Sequence, residues 1–511
     1  PLLTHLLREQ EQEQEHGLTD SRQASQPPPP APATPDLLAS LVHYGLSQQL
    51  TQAHQLRLRP SPLDWPAAAE IKAYHFSPCS RWLVFVCKAQ TASSLHLRLY
   101  GWEQGVWQRC QMVTDVVGPV TFSTFTTVPP DTLISVHGVN VLAWNKTQDS
   151  TTWHSTLVCH IPQSYKVCDL YSMTDGDQII VAINTRKERA VLRVLFCRHT
   201  PDGKGWKTTR IQNYDVACSL GMAMAWDAQP QSYQLVLTTS TWIEGSENRV
   251  TEAHIWRKGR VGSQLGQWEV HRSRLPRHDS SPNDVIHSPD GHYLLGALSN
   301  GQACLWALDA QYRLQEQLIT DCLYQPEWGL ELQASFRRDG KQLALSRSCC
   351  QVQLFDCDSN GHWQQGPLLE APPVPHVPGD NAAITMQLSA SGRTLVRQTA
   401  WGLDIWHQTP AASWQHFVQY RKEEGHRFPP RYCLLQPGEL VCTTTQDPEK
   451  TLRVYGPDSR GQFVRKAHMP ITKDIYGVSP DGLSLVLGYT RTAPTVLQLA
   501  SSSQEGRCSF L

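Results

Sequence analysis

The chain has 511 residues and a formal net charge of -1, from 45 Lys+Arg against 46 Asp+Glu. Its isoelectric point near 7.2 excludes the basic excess that draws non-specific nucleic-acid and anionic-membrane binders to their partners. The 17 Trp outnumber 15 Tyr and 11 Phe, so tryptophan is expected to have a repeated structural role.

Residues 1–35 are Gln/Glu-rich and then Pro-rich, with Pro27 to Pro30 in succession. Such a stretch favours an extended polyproline-II-like chain and has little to bury, so a disordered extension is expected. Asp36 then caps a short helix within 36–54, with Leu37, Leu38, Leu41 and Val42 facing inward. No signal-peptide pattern precedes the globular part, and no apolar run approaches the ~20 residues of a membrane span. The fifteen cysteines lack regular spacing, and most sit inside apolar runs (Cys87, Cys159, Cys168, Cys304, Cys442). Buried, reduced thiols in a cytoplasmic protein are the expectation. The vicinal Cys349-Cys350 is the one pair suited by sequence to redox chemistry.

From 55 to 499 the pattern changes to short apolar runs separated by Gly, Pro, Asp, Asn and Ser clusters, which reads as all-β. One unit is clearest. Val285-Ile286-His287 runs into Ser288-Pro289-Asp290-Gly291, an apolar strand follows from Tyr293, and a third ends on Trp306. The same order recurs at Phe76-Ser77-Pro78, Phe336 to Gly340, Leu388 to Gly392 and Val478 to Gly482. Gly after Asp or Ser suits the positive φ of a tight hairpin. Third strands end on Tyr100, Trp144, Phe196, Trp256, Trp306, Phe355, Trp406 and Tyr455, and a second aromatic opens a fourth strand, as at Trp107, Trp153, Trp363, Trp414 and Phe463.

A repeat of about 50 residues with four short antiparallel strands is the signature of β-propeller blades. The expectation is one large propeller over 55–499 with eight blades, followed by a flexible tail, 500–511. Nine blades is the alternative if 109–160 is a unit rather than an irregular insertion. Gln55-Leu56-Arg57-Leu58-Arg59 is placed to supply an outer strand to the last unit, joining both ends of the chain.

These residues resemble the WD40-repeat β-propeller family over roughly 66–499. The Ser-Pro-Asp-Gly turns at 288–291 and 479–482 carry the resemblance, with the third-strand aromatics and Phe355-Asp356 where that family often has Trp-Asp. No third strand ends in Trp-Asp, and no Gly-His pair opens a repeat. The chain therefore resembles a degenerate member, expected to lack the family's Asp-His-Ser-Trp network.

No nucleophile elbow, zinc-ligand pair, P-loop or His-Glu-x-x-His is present, and the 21 His are scattered singly. No catalytic residue, cofactor or metal is assigned, and Asp290, Asp339 and Asp481 read as turn residues. The expected function is a monomeric, non-enzymatic scaffold for a protein partner, without nucleic acid. Its candidate contacts are Arg186, Arg189, Trp242, Trp401 and Arg491, in the turns joining second to third strands; Arg and Trp are enriched at interface hot spots. Two other functions follow from further resemblances. Asp358 to Trp363 and Cys349-Cys350 loosely resemble features of eight-bladed quinone-cofactor dehydrogenases. A linker ahead of a propeller resembles F-box/WD40 substrate receptors of ubiquitin ligases, here with the F-box missing. Finally, Cys508-Ser509-Phe510-Leu511 fits a prenylation signal, the one route by which a membrane would enter.

Overall fold

The computed structural model describes residues 56–501 apart from interruptions, the longest being 276–284, 323–331, 373–382 and 422–431; of residues 212–251 it describes at most the backbone. The extension 1–35, the helix expected over 36–54 and Cys508 lie outside the described residues. The described elements are all strands.

Among the described residues the strands fall into nine sheets. In chain order they occupy residues 70–109, 120–160, 165–215, 221–274, 285–321, 334–370, 383–421, 432–470 and 474–501, and are numbered here sheet 1 to sheet 9. Sheets 1 to 8 each run from first to fourth strand in chain order, antiparallel throughout. The described sheets number nine, where eight blades were expected with nine as the alternative, and 120–160 is a sheet of its own. Its fourth strand, Thr152–His160, is bulged between Leu157 and Cys159, as the third-to-fourth pairing is in sheets 3, 5, 6, 7 and 8. A three-residue strand, Gln111–Val113, also pairs with that strand in parallel as a fifth member. Sheet 9 takes three strands from the end of the described chain and its fourth from the beginning, Leu56–Pro62 pairing with Thr495–Ser501.

Packing explains the sequence pattern. Second strands are buried on both faces, as in Leu133–His137 and Ser484–Gly488, where every residue is buried. A strand covered on both faces by neighbouring sheets has no solvent face to alternate with. Fourth strands are half-exposed, as in Trp363–Glu370. The core lies between sheets, and the third-strand aromatic of one sheet packs against the sheet before it. Trp144 meets Val84 and Leu99 of sheet 1, Trp306 meets Ile255 of sheet 4, and Trp406 meets Leu354 of sheet 6. Tyr100 of sheet 1 follows the same rule with Val486 and Val496 of sheet 9. Tyr100, Trp144, Phe196, Trp306, Phe355 and Trp406 are each at most 2% exposed. Burying a side chain of that size stabilises by roughly 3–5 kcal/mol relative to alanine.

The turns between first and second strands need one left-handed residue. Gly291, Gly340, Gly392 and Gly482 supply it, with φ of 70 to 75°, and each donates its amide three residues back. In sheet 1 Ser80 holds the same position at φ 60°, and in sheet 8 Glu439 sits in the corresponding turn at φ 52°.

Candidate interaction surface

The second and third strands of sheet 4, Ser232–Trp242 and Arg249–Val261, pair without a break from Ser232 opposite Gly259 to Trp242 opposite Arg249. Their neighbours are shorter. The first strand, Gly221–Trp226, reaches only Thr238, and the fourth, Glu269–Arg274, reaches only Glu252. Thr239 to Trp242 and Arg249 to Thr251 therefore form a two-stranded ribbon with no described neighbour on either side. At ~3.4 Å per residue it projects on the order of 13 Å beyond the sheet. The run Thr238-Thr239-Ser240-Thr241 facing Val250 and Thr251 suits extended backbone. In sheet 1 the first three strands end level at this edge, with Glu70 opposite Lys88 and Lys88 opposite Leu95, while the fourth stops opposite Tyr100; in sheet 3, Tyr165 opposes Thr185.

Of the contact residues expected from sequence, Trp242 is placed at the end of this ribbon, in backbone only, opposite Arg249. Arg186, Arg189, Trp401 and Arg491 lie outside the described residues, as does Cys349.

The turns joining first to second and third to fourth strands show what their carboxylates do. Ser288 Oγ donates to Asp290 Oδ1 at 2.5 Å, and Asp290 also accepts the His292 amide at 3.1 Å. Asp358 Oδ1 accepts the amides of Asn360 and His362 at 2.8 and 2.9 Å, and Asp458 does the same for Arg460 and Gln462. The backbone amide of His362 holds the Asp358 carboxyl below its ordinary range, and that of Gln462 does so for Asp458. Trp363, which follows the Asp358 turn, packs edge-on against Tyr293 at 5.1 Å and beside Phe336 at 6.3 Å. The residues that loosely resemble a quinone site are thus engaged in turn and core contacts. Among the described residues no group of three His, Cys, Asp or Glu side chains is placed to hold a metal.

Two buried polar groupings were missed from sequence. In sheet 2, Trp144 Nε1 donates to Ser135 Oγ at 2.7 Å, and the His137 ring lies 2.9 Å from the same oxygen. This Trp-Ser-His chain has no recorded Asp member, and its Ser and His stand two residues apart on one strand. In sheet 7, Arg397 Nη2 donates to Asp404 Oδ2 at 2.9 Å, and His416 Nε2 lies 3.1 Å from Asp404 Oδ1. The side chains of Arg397 and Asp404 are 1% and 0% exposed. The guanidinium also stacks 5.1 Å over Trp406, while its Nε and Nη1 have no hydrogen-bond partner. The sequence signal was available. Asp404 shares a strand face with the buried Trp406, and Arg397 stands opposite it in register.

No protein-family model matches the chain, and no curated protein matches it in sequence. Among solved structures, Sqt1 of Saccharomyces cerevisiae aligns with 88% of this chain and 99% of its own, at 10% identity and a TM-score of 0.47. Sqt1 of Chaetomium thermophilum, solved bound to the N-terminus of the ribosomal protein L10, aligns with 85% of this chain and 97% of its own, at 10% identity and 0.44. A candidate 6-phosphogluconolactonase from Bacteroides uniformis aligns with 70% and 95%, at 12% identity and 0.33. These proteins are similar to the chain in strand arrangement at TM-scores below 0.5, and the functional reading rests on the chain's own residues.

Proposed function

We propose that the nine sheets are the blades of one closed, degenerate WD40-like propeller, acting in the cytoplasm as a monomeric, non-enzymatic scaffold for a protein partner. The partner docks on the edge that carries the second-to-third-strand turns. The observation behind this is the sheet 4 ribbon, which runs past both neighbours and ends at Trp242. A projecting ribbon with no neighbour among the described residues presents backbone donors and acceptors along its sides and has a large aromatic at its end. Closure is supported by the strand pairing in sheet 9 and by Tyr74 of sheet 1 meeting Tyr476 of sheet 9 edge-on at 6.1 Å.

The test is affinity purification with the ribbon shortened: residues 240–251 replaced by Asn-Gly, so that Thr239 and Glu252 close on a two-residue turn. The partners bound by the wild type are expected to disappear while circular dichroism and melting stay unchanged. Trp242→Ala with Arg189→Ala is expected to weaken the same partners. Full retention of every partner by the shortened protein overturns the reading.

A further inference from the structure

Sheet 8 sets two thiols face to face. Cys433 on the first strand, Tyr432–Leu435, is directly opposite Cys442 on the second, Leu440–Thr445, with Tyr432 opposite Thr443 and Leu434 opposite Val441 on either side. Opposed antiparallel residues carry their Cβ atoms about 4.5–5.5 Å apart, a small adjustment from the ~3.5–4.5 Å of a disulfide. Cys442 belongs to a buried core cluster against which Cys433 packs. They differ in access: Cys442 is fully buried, whereas Cys433 is partly exposed. A second close pair provides the contrast. Cys159 of sheet 2 and Cys197 of sheet 3 also share one core cluster, but both are buried, at 8% and 0% exposure.

We propose that Cys433 and Cys442 are a redox-modification site, a dithiol that a low-molecular-weight disulfide such as oxidised glutathione converts reversibly into a cross-strand disulfide. In the first step the Cys433 thiolate attacks one sulfur of the oxidant, forming a mixed disulfide and releasing one glutathione thiolate. In the second, Cys442 loses its proton and attacks the Cys433 sulfur, expelling the second glutathione thiolate. In total, two protein thiols are oxidised and one glutathione disulfide is reduced to two glutathione thiols. Access sets the order of events, because the reagent meets only Cys433 from solvent. Burial holds the Cys442 thiol well above its ordinary range, which favours Cys433 as the first nucleophile. The linkage would fix the first strand of sheet 8 to the second, beside Tyr74, whose hydroxyl is pushed up to about 12 by burial and by Cys433.

The test exposes the purified protein to oxidised glutathione, alkylates the remaining thiols after acid denaturation, and measures peptides by mass. Cleavage at Arg431 and Lys450 leaves both cysteines in one peptide, residues 432–450, with Glu439 between them. That peptide is expected two hydrogens lighter and free of alkylation, separable at Glu439 into halves that stay joined until dithiothreitol is added. The Cys159 and Cys197 peptides are expected to remain fully alkylated. In Cys442→Ala the reaction should stop with glutathione on Cys433; in Cys433→Ser, Cys442 should stay alkylatable. Two wild-type outcomes overturn the proposal: alkylation of both cysteines, or glutathione retained on Cys433 with Cys442 still free. Should Cys442→Ala fail to fold, the wild type and Cys433→Ser still decide.

Discussion

Removing Asp404 tests the inter-sheet core most sharply. Its carboxylate accepts the Nη2 hydrogen bond of an Arg397 guanidinium that is 1% exposed, and the other two guanidinium nitrogens already lack a hydrogen bond. Asp404→Ala therefore leaves a cation in the core without its carboxylate, with the Trp406 ring stacked against it. Breaking a buried pair from one side costs roughly 3–5 kcal/mol, and the cation–π contact offsets about 1–2 kcal/mol at most. With an unfolding entropy near 0.9 kcal/mol/K for roughly 450 residues, 4 kcal/mol corresponds to a Tm lowered by about 4 °C. The double variant Arg397→Met with Asp404→Leu removes both charges at similar volume and should recover most of that loss or exceed the wild type. Calorimetry of the wild type, Arg397→Met, Asp404→Leu and their double closes a double-mutant cycle, with Asp404→Ala measured beside it. The reasoning is refuted if Asp404→Ala melts within about 1 °C of the wild type, or if the double variant is as unstable as the two single losses added together.

Other expectations follow from turns and from buried histidines. Gly340→Ala should destabilise by roughly 1–3 kcal/mol in urea titration, since φ is +71° there and a Cβ would overlap the Asp290 carboxylate. Ala412→Gly should raise stability by up to about 1 kcal/mol by relieving a φ of 60°; a loss of stability would contradict the turn assignment. Burial holds His254, His287 and His407 at about 4, against an ordinary value near 6.5. The unfolded chain therefore takes up protons between pH 6.5 and 4 that the folded chain refuses. Stability is fully present above that window and falls within it, by up to roughly 3 kcal/mol per histidine. Melts from pH 8 to 4 should show this fall, and His287→Phe should flatten it; an unchanged slope would place that ring in solvent.

The repeat was legible because its period is carried by residues with one packing task each. Trp306, Phe355 and Trp406 sit in third strands, and Trp363, Trp414 and Phe463 open fourth strands, where the spacing put them. The number of units was harder to read, because sheet 2 takes a parallel fifth strand, Gln111–Val113, from the chain between the fourth strand of sheet 1 and its own first. The Arg397–Asp404 pair was hidden for a different reason. Alternation equates polar with solvent-facing, and that equation fails in a sheet covered on both faces. Ser80 and Glu439 mask turns that glycine would have announced. On the candidate surface, sequence located Trp242 in a long turn but not the ribbon that carries it. Ribbon length depends on where the neighbouring strands stop, and no local residue pattern records that.

The pairing of Leu56–Pro62 with Thr495–Ser501 also sets a timetable for biogenesis. At ~5–20 ribosomal additions per second, roughly 20–90 s separate emergence of the first of these strands from the last. Throughout that interval sheet 1 waits with Phe85, Tyr100 and Trp107 uncovered, because Val486 and Val496 have not been made. The nascent molecule thus carries an adhesive apolar face for most of its synthesis. Slow translation late in the message, or a shortage of chaperone, would be felt first as aggregation of chains whose individual sheets are otherwise sound.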